Sequence, residues 1–151
     1  MDDSDEYGEV DVDPAVLERL PWLETPLDPA QPCIRILKLH QGANNSPIAC
    51  SLTVVSLDDN PDYETLSYVW GDSTHTKSIT IGGEIFNATD NLFGFLNCLR
   101  QPTAVRLLWA DAICIDQTND DEKGRQIGLM TRIYRQAKEA HIWFGKFTAS
   151  W

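Results

Sequence analysis

Two stretches carry the residues whose types and spacing could do chemistry. In "LLWADAICIDQTNDDEKGRQ" (107–126) Asp111 lies inside an apolar run, and Asp116, Gln117, Asp120, Asp121 and Glu122 crowd just past its end. In "LSYVWGD" (66–72) a second apolar run ends in Tyr68, Trp70, Gly71 and Asp72. Carboxylates beside aromatic rings suit a ligand that builds positive charge or presents hydroxyls, with the ring as a stacking surface. They equally suit a contact with a protein partner. A plainer account also exists, because carboxylates in the first turn of a helix complement its dipole by roughly 0.3–1 kcal/mol each. Asp111 stands apart from that run. If 105–115 is a strand, Asp111 shares a face with Trp109, Ile113 and Ile115, where a carboxylate must be hydrogen-bonded or paired. The expected partners are N–H groups of the "SYVWG" loop, which gives Asp111 a structural role, with direct ligand binding as the alternative.

These residues need elements to position them. "CIRILKL" (33–39) and "IACSLTVVSL" (48–57) read as an antiparallel strand pair with a long loop, and "ETLSYVWG" (64–71) as a third strand. "KSITIGGEIFNA" (77–88) is a hairpin around Gly82-Gly83, a pair that accepts positive φ at both turn positions. Residues 89–102 form a short helix with Leu92, Phe95, Leu96 and Leu99 on its buried stripe. "VRLLWADAICI" (105–115) is apolar on both faces, as expected of a central parallel strand covered by helices. Residues 119–138 form the long helix, begun by Asn119 and Glu122 at capping-box spacing, with Ile127, Met130, Ile133, Tyr134 and Ala137 facing the core. "AHIWFG" (140–145) is the returning strand, which completes a right-handed βαβ unit. In open parallel sheets ligands bind outside the carboxyl ends of strands. If the three strands are parallel, the loops that follow Tyr68, Ile115 and Phe144 share one edge.

Composition narrows the function classes. Of the 23 acidic residues, ten fall in residues 1–30 beside a single basic one, Arg19, so the net charge of −11 belongs mostly to this leader. Residues 1–13 are expected to be disordered, with a short helix starting at Pro14. The body from residue 31 has no basic stripe, which argues against nucleic acid as a partner. No apolar run approaches the ~20 residues of a membrane span, and the N-terminus lacks the pattern of a secretory signal. A soluble cytoplasmic protein is expected. Cys33, Cys50, Cys98 and Cys114 lack paired spacing and read as reduced, buried small hydrophobes. His40, His75 and His141 show no metal-ligand spacing, so no metal is expected.

The blocks "YETLSYVWGD" (63–72), "ITIGGEIFNATDNLFGFLNCLR" (79–100) and "LLWADAICIDQTNDDEKGRQIGLMTRIYRQAKEAHIWFG" (107–145) closely resemble the heterokaryon-incompatibility (HET) domain of filamentous fungi. The resemblance covers about residues 34–145, and it makes 31–151 the HET domain. Asp111, Gln126 and Tyr134 fall on its motif as structural positions. The family usually has Asn at Asp116 and Leu at Phe144. The resemblance implies a role in fungal non-self recognition and programmed cell death. It also implies a fold similar to that of Toll/interleukin-1 receptor (TIR) domains: an α/β, flavodoxin-like sheet with parallel core strands and an antiparallel N-terminal hairpin attachment. TIR domains act by self-assembly or by cleaving NAD at the nicotinamide–ribose bond. Two functions therefore stay open: a signalling module that self-associates or binds another incompatibility protein, and an NAD glycohydrolase. For both, the expected surface is Tyr68, Trp70, Asp72, Asp116 and Gln117. For the second, Glu122 is the catalytic candidate, in competition with a capping role. No phosphate-cradling glycine loop is present, and NAD enters only as a substrate. The chain stops at "TASW", where the resemblance places the start of the Ser-x-Trp stretch that precedes the TIR glutamate. On that reading the domain is cut short before its catalytic residue.

Overall fold

The computed structural model describes residues 21–71 and 74–144 and the backbone of 148–150. The chain runs β1 (Cys33–Leu39), β2 (Ala49–Ser56), a single 3-10 turn, β3 (Glu64–Tyr68), β4 (Thr76–Ile81), β5 (Glu84–Thr89), α1 (Asp90–Leu99), β6 (Arg106–Trp109), α2 (Asp111–Cys114), α3 (Asp120–Gln136), β7 (Glu139–Trp143) and β8 (Thr148–Ser150). The strands make one mixed sheet in the order β5-β4-β2-β1-β6-β3-β7-β8. β1 and β2 are the expected antiparallel pair. β4 and β5 are the expected hairpin, and Gly82 and Gly83 turn it with φ of 61° and 84°. β3 pairs parallel with β6 on one side and β7 on the other, so β6, β3 and β7 run the same way. The helix α3 connects β6 to β7, which do not touch because β3 is inserted between them. No described helix is long and apolar enough to cross a membrane.

The core is built from Ile34, Ile36, Leu37, Leu66, Leu108, Trp109 and their neighbours, closed on one side by α1 through Leu92, Phe95, Leu96 and Leu99. The α1 stripe is the expected one, and Thr89 caps it by accepting the Leu92 N–H. The helix ends at Arg100, short of Pro102. The Arg100 guanidinium donates to the Ala43, Ser46 and Pro47 carbonyls and so fixes the β1–β2 loop.

Three expectations are corrected. The strand expected over 105–115 stops at Trp109, and Asp111–Cys114 is a helical turn in which the Ile113 and Cys114 N–H groups donate to the Ala110 carbonyl. A short run that is apolar on every side satisfies strand and helix alike, so periodicity could not separate them. Asp111 therefore does not share a strand face with Trp109, Ile113 and Ile115. It starts a helix and is only half buried. The core face of α3 is the expected one at Met130, Ile133, Tyr134 and Ala137, but in its first turns Ile127 is 55% exposed while Glu122 and Gln126 are buried. Two polar residues take core positions there because partners await them. Among the cysteines, Cys98 is exposed and Cys33 is half buried, while Cys50 and Cys114 are buried as expected.

The expectations for residues 1–13 and the helix start at Pro14 lie outside the described residues. Residues 21–23 are helical. Trp22 is buried, donates from Nε1 to the Ile113 carbonyl at 2.5 Å, and meets Phe86 edge to face. The segment leading into β1 is thereby docked on the body.

Candidate functional site

The parallel trio places the carboxyl ends of β6, β3 and β7 on one edge. β3 runs out through Tyr68 into Val69, Trp70 and Gly71. Gly71 has φ +72°, a conformation that favours glycine, and a Cβ there would lie 3.0 Å from the Asn91 side chain, which would have to give way. Asn91 donates to the Val69 carbonyl at 2.9 Å and ties this loop to the start of α1. The loop after β6 meets it, among the described residues, through a bond from Trp70 Nε1 to Asp111 Oδ1 at 3.3 Å. The expected contact between Asp111 and the "SYVWG" loop is present, but the donor is the indole side chain rather than backbone. Gln117 supports the same turn by donating from Nε2 to the Asp111 carbonyl at 2.8 Å.

Tyr68 meets Phe95 edge to face at 6.1 Å, and Phe95 stacks on Trp143 at 5.4 Å. Burial, aided by the nearby Asp111 carboxylate, raises the Tyr68 phenol far above its ordinary value, and its buried hydroxyl has no hydrogen-bond partner among the described residues. Tyr68 and Trp70 form one wall of a cavity of about 140 Å³, with Phe86, Asn87, Leu92 and Ala112 on the others. Just outside it the edge is apolar: Val69 is 76% exposed, Trp70 42% and Phe144 64%. Tyr68 and Trp143 are register partners, so Val69 and Phe144 are the next residues on adjacent parallel strands.

The other two expected site residues sit elsewhere. Asp116 is buried, and its Oδ1 accepts from the Thr118 N–H at 3.1 Å and the Thr118 hydroxyl at 2.7 Å, an Asx turn. Glu122 is buried against β1. Its Oε1 accepts from Arg35 Nη2 at 2.7 Å, and its Oε2 from Arg35 Nη1 at 3.0 Å and the Asp116 N–H at 2.6 Å. Asn119 caps α3 by accepting the Glu122 N–H at 3.1 Å. Half of the capping box is thus made, and the Glu122 carboxylate goes to Arg35 instead of back to the cap. Arg35 also donates to the carbonyls of Cys114 and Thr25, so a single buried guanidinium joins the leader, β1, α2 and the start of α3. Sequence reasoning missed Arg35, although a lone Arg in "CIRILKL" poses the same question as a lone Asp in an apolar run. Gln126 donates to the Cys33 carbonyl at 2.9 Å, and Tyr134 accepts from Ser67 and packs edge to face on Trp109. Tyr68, Trp70, Asp111 and Gln117 are therefore brought together, while Asp116 and Glu122 belong to the buried network beneath them. Asp72 lies outside the described residues.

Comparison with known proteins follows the same stretch. Residues 63–150 match the family described as heterokaryon incompatibility protein (HET). The chain is 34% identical over 126 residues to "Heterokaryon incompatibility protein 6, OR allele" of Neurospora crassa, a match that covers 74% of this chain and 18% of that protein. The chain therefore spans less than a fifth of the length of this relative. No solved structure matches it.

Proposed function

The chain belongs to the heterokaryon incompatibility (HET) family, and from that premise we propose that it acts in fungal non-self recognition, leading to programmed cell death, as a cytosolic contact module that pairs with a second copy of itself. The observation that carries this is the apolar edge at the carboxyl ends of β3 and β7. Val69, Trp70 and Phe144 are exposed there, just past the strand ends. A cavity of about 140 Å³ with aromatic walls lies beside them. Projecting rings next to a ring-sized hollow on one surface make that surface self-complementary, which is what an isologous two-fold contact needs. Aromatic anchors seated in pockets are also where binding energy concentrates.

The TIR-like layout belongs to the same proposal, supported by the parallel β6-β3-β7 core and its α3 crossover. The glycohydrolase reading has less behind it. Pockets for ligands larger than a single ring run to about 300–1,000 Å³, well above this cavity. Glu122, the carboxylate considered for catalysis, is occupied by Arg35 and the Asp116 N–H. We assign Asp116 and Glu122 to positioning the loop and Tyr68, Trp70 and Gln117 to the contact surface, to which Asp72 is added only by its place in the sequence.

The test is expression of Val69→Asp with Phe144→Asp in a fungal host, beside circular dichroism of the purified variant. A folded variant that no longer arrests growth is expected. Killing at the parent level by a folded variant would remove this edge from the function.

A further inference from the structure

At the opposite edge of the sheet, where the parallel strands begin, a second group of side chains converges. β3 and β7 pair with Glu64 opposite Glu139, so these two share a face. His141, two residues along β7, points to the same side. His141 Nε2 lies 3.1 Å from Glu64 Oε1 and 3.9 Å from Glu139 Oε2, and the three ligand atoms all fall within 4.8 Å of one another. We propose that Glu64, Glu139 and His141 form a binding site for a divalent transition-metal ion of the zinc class, which ties β7 to β3.

The chemistry of the donors fits. Zinc takes imidazole nitrogen at about 2.0–2.1 Å and carboxylate oxygen at about 2.0–2.2 Å in tetrahedral sites, and such bonds place neighbouring ligand atoms about 3.3 Å apart. Glu64 and His141 already stand close to that separation. The side chain that must move is Glu139, which at 44% exposure is the freest of the three, against 17% for Glu64 and 11% for His141. Glu64 and His141 are the positioned pair. Arg106 holds Glu64 in place, with Nε 3.1 Å from Oε2 and Nη2 3.0 Å from Oε1. On metal binding Oε1 turns to the ion and Oε2 keeps the Arg106 Nε bond, so the arginine becomes the outer partner that orients a ligand carboxylate. Two carboxylates against one guanidinium leave the group net negative before the ion arrives. A cavity of about 310 Å³ lined by Asp62, Glu64, Arg106 and Lys138 opens beside Glu64. The spacing "EAH" (139–141) is visible in sequence, but the third ligand lies 75 residues upstream on a strand that only the fold makes adjacent.

The experiment is calorimetric titration of the chain with zinc chloride, repeated with cobalt(II) to read visible ligand-field bands, all in a Cys98→Ser background because Cys98 is an exposed thiol. One ion per chain is expected. His141→Ala and Glu139→Gln should each weaken binding by at least about 100-fold, beyond the 10–100-fold usual for losing an outer partner. Glu139→Gln keeps the proposal testable if His141→Ala disturbs β7. The control His40→Ala, whose ring pairs with Ser51 across β1 and β2, should bind like the parent. No saturable binding, or binding that survives both ligand variants, would overturn the site.

Discussion

Glu122→Gln separates a scaffold from a catalyst, and its cost can be worked from the contacts. The carboxylate gives both oxygens to Arg35 and one of them also to the Asp116 N–H, with side-chain exposures of 2% for Arg35 and 6% for Glu122. The amide keeps one acceptor, and its NH2 must face a donor, either the guanidinium or the Asp116 N–H. Removing one partner of a buried ion pair costs about 3–5 kcal/mol, because the remaining charge is left uncompensated. Arg35 retains the carbonyls of Trp22, Thr25 and Cys114, which places the expected loss near the lower end, about 3 kcal/mol. For a chain of this size that is a fall in Tm of about 6–12 °C. The assay is thermal unfolding by circular dichroism, with Arg35→Met and the double variant completing a cycle. If the pair is the cause, the double variant should be more stable than the sum of the single losses predicts. A Tm within about 2 °C of the parent for Glu122→Gln would refute the reasoning.

Three further outcomes follow from the same geometry. Asp111→Ala should cost under about 1 kcal/mol, since its carboxylate is only half buried and its bond is to a part-exposed indole; a Tm loss above about 4 °C would contradict that. Burial alone would raise the Glu64 carboxyl, but hydrogen bonds from Arg106 and His141 outweigh it and hold the group below its ordinary 4.5. The stability Glu64 contributes is therefore present above the unfolded value and lost as pH falls through the folded one, so urea midpoints of the parent and Glu64→Gln should converge in acid and separate towards neutrality. Burial pushes Cys50 and Cys114 up to about 12, so a thiol reagent at about pH 8 should modify exposed Cys98 fast and these two only on unfolding; equal rates would show that the core opens.

The legible parts of the fold were those where one physical signal acted alone. Gly82-Gly83 between alternating strands specifies a hairpin, and the Leu92, Phe95, Leu96, Leu99 stripe specifies α1, so both were readable. The run from Leu107 to Ile115 was not, because uniform apolarity carries no period, and the chain turns helical after Ala110. Ile127 was misplaced because the face of α3 is set by Glu122 and Gln126, whose burial depends on Arg35 and the Cys33 carbonyl, far away in sequence. The "SYVWG" loop and the loop after β6 were rightly brought to one edge. The carboxylates beyond them were harder to judge: the letters show that Asp116 and Glu122 are acidic but not that one closes an Asx turn and the other meets a buried guanidinium. The group at Glu64 and His141 was illegible for the same reason, since only the β3–β7 register makes those residues neighbours.

Sedimentation velocity over a range of concentrations tests most directly whether the edge at Val69, Trp70 and Phe144 is a surface for a second copy. The account predicts that the parent shifts from monomer to dimer as concentration rises, and that folded Val69→Asp with Phe144→Asp stays monomeric throughout. A parent that remains monomeric at every concentration, or a charged variant that dimerises as the parent does, would contradict it.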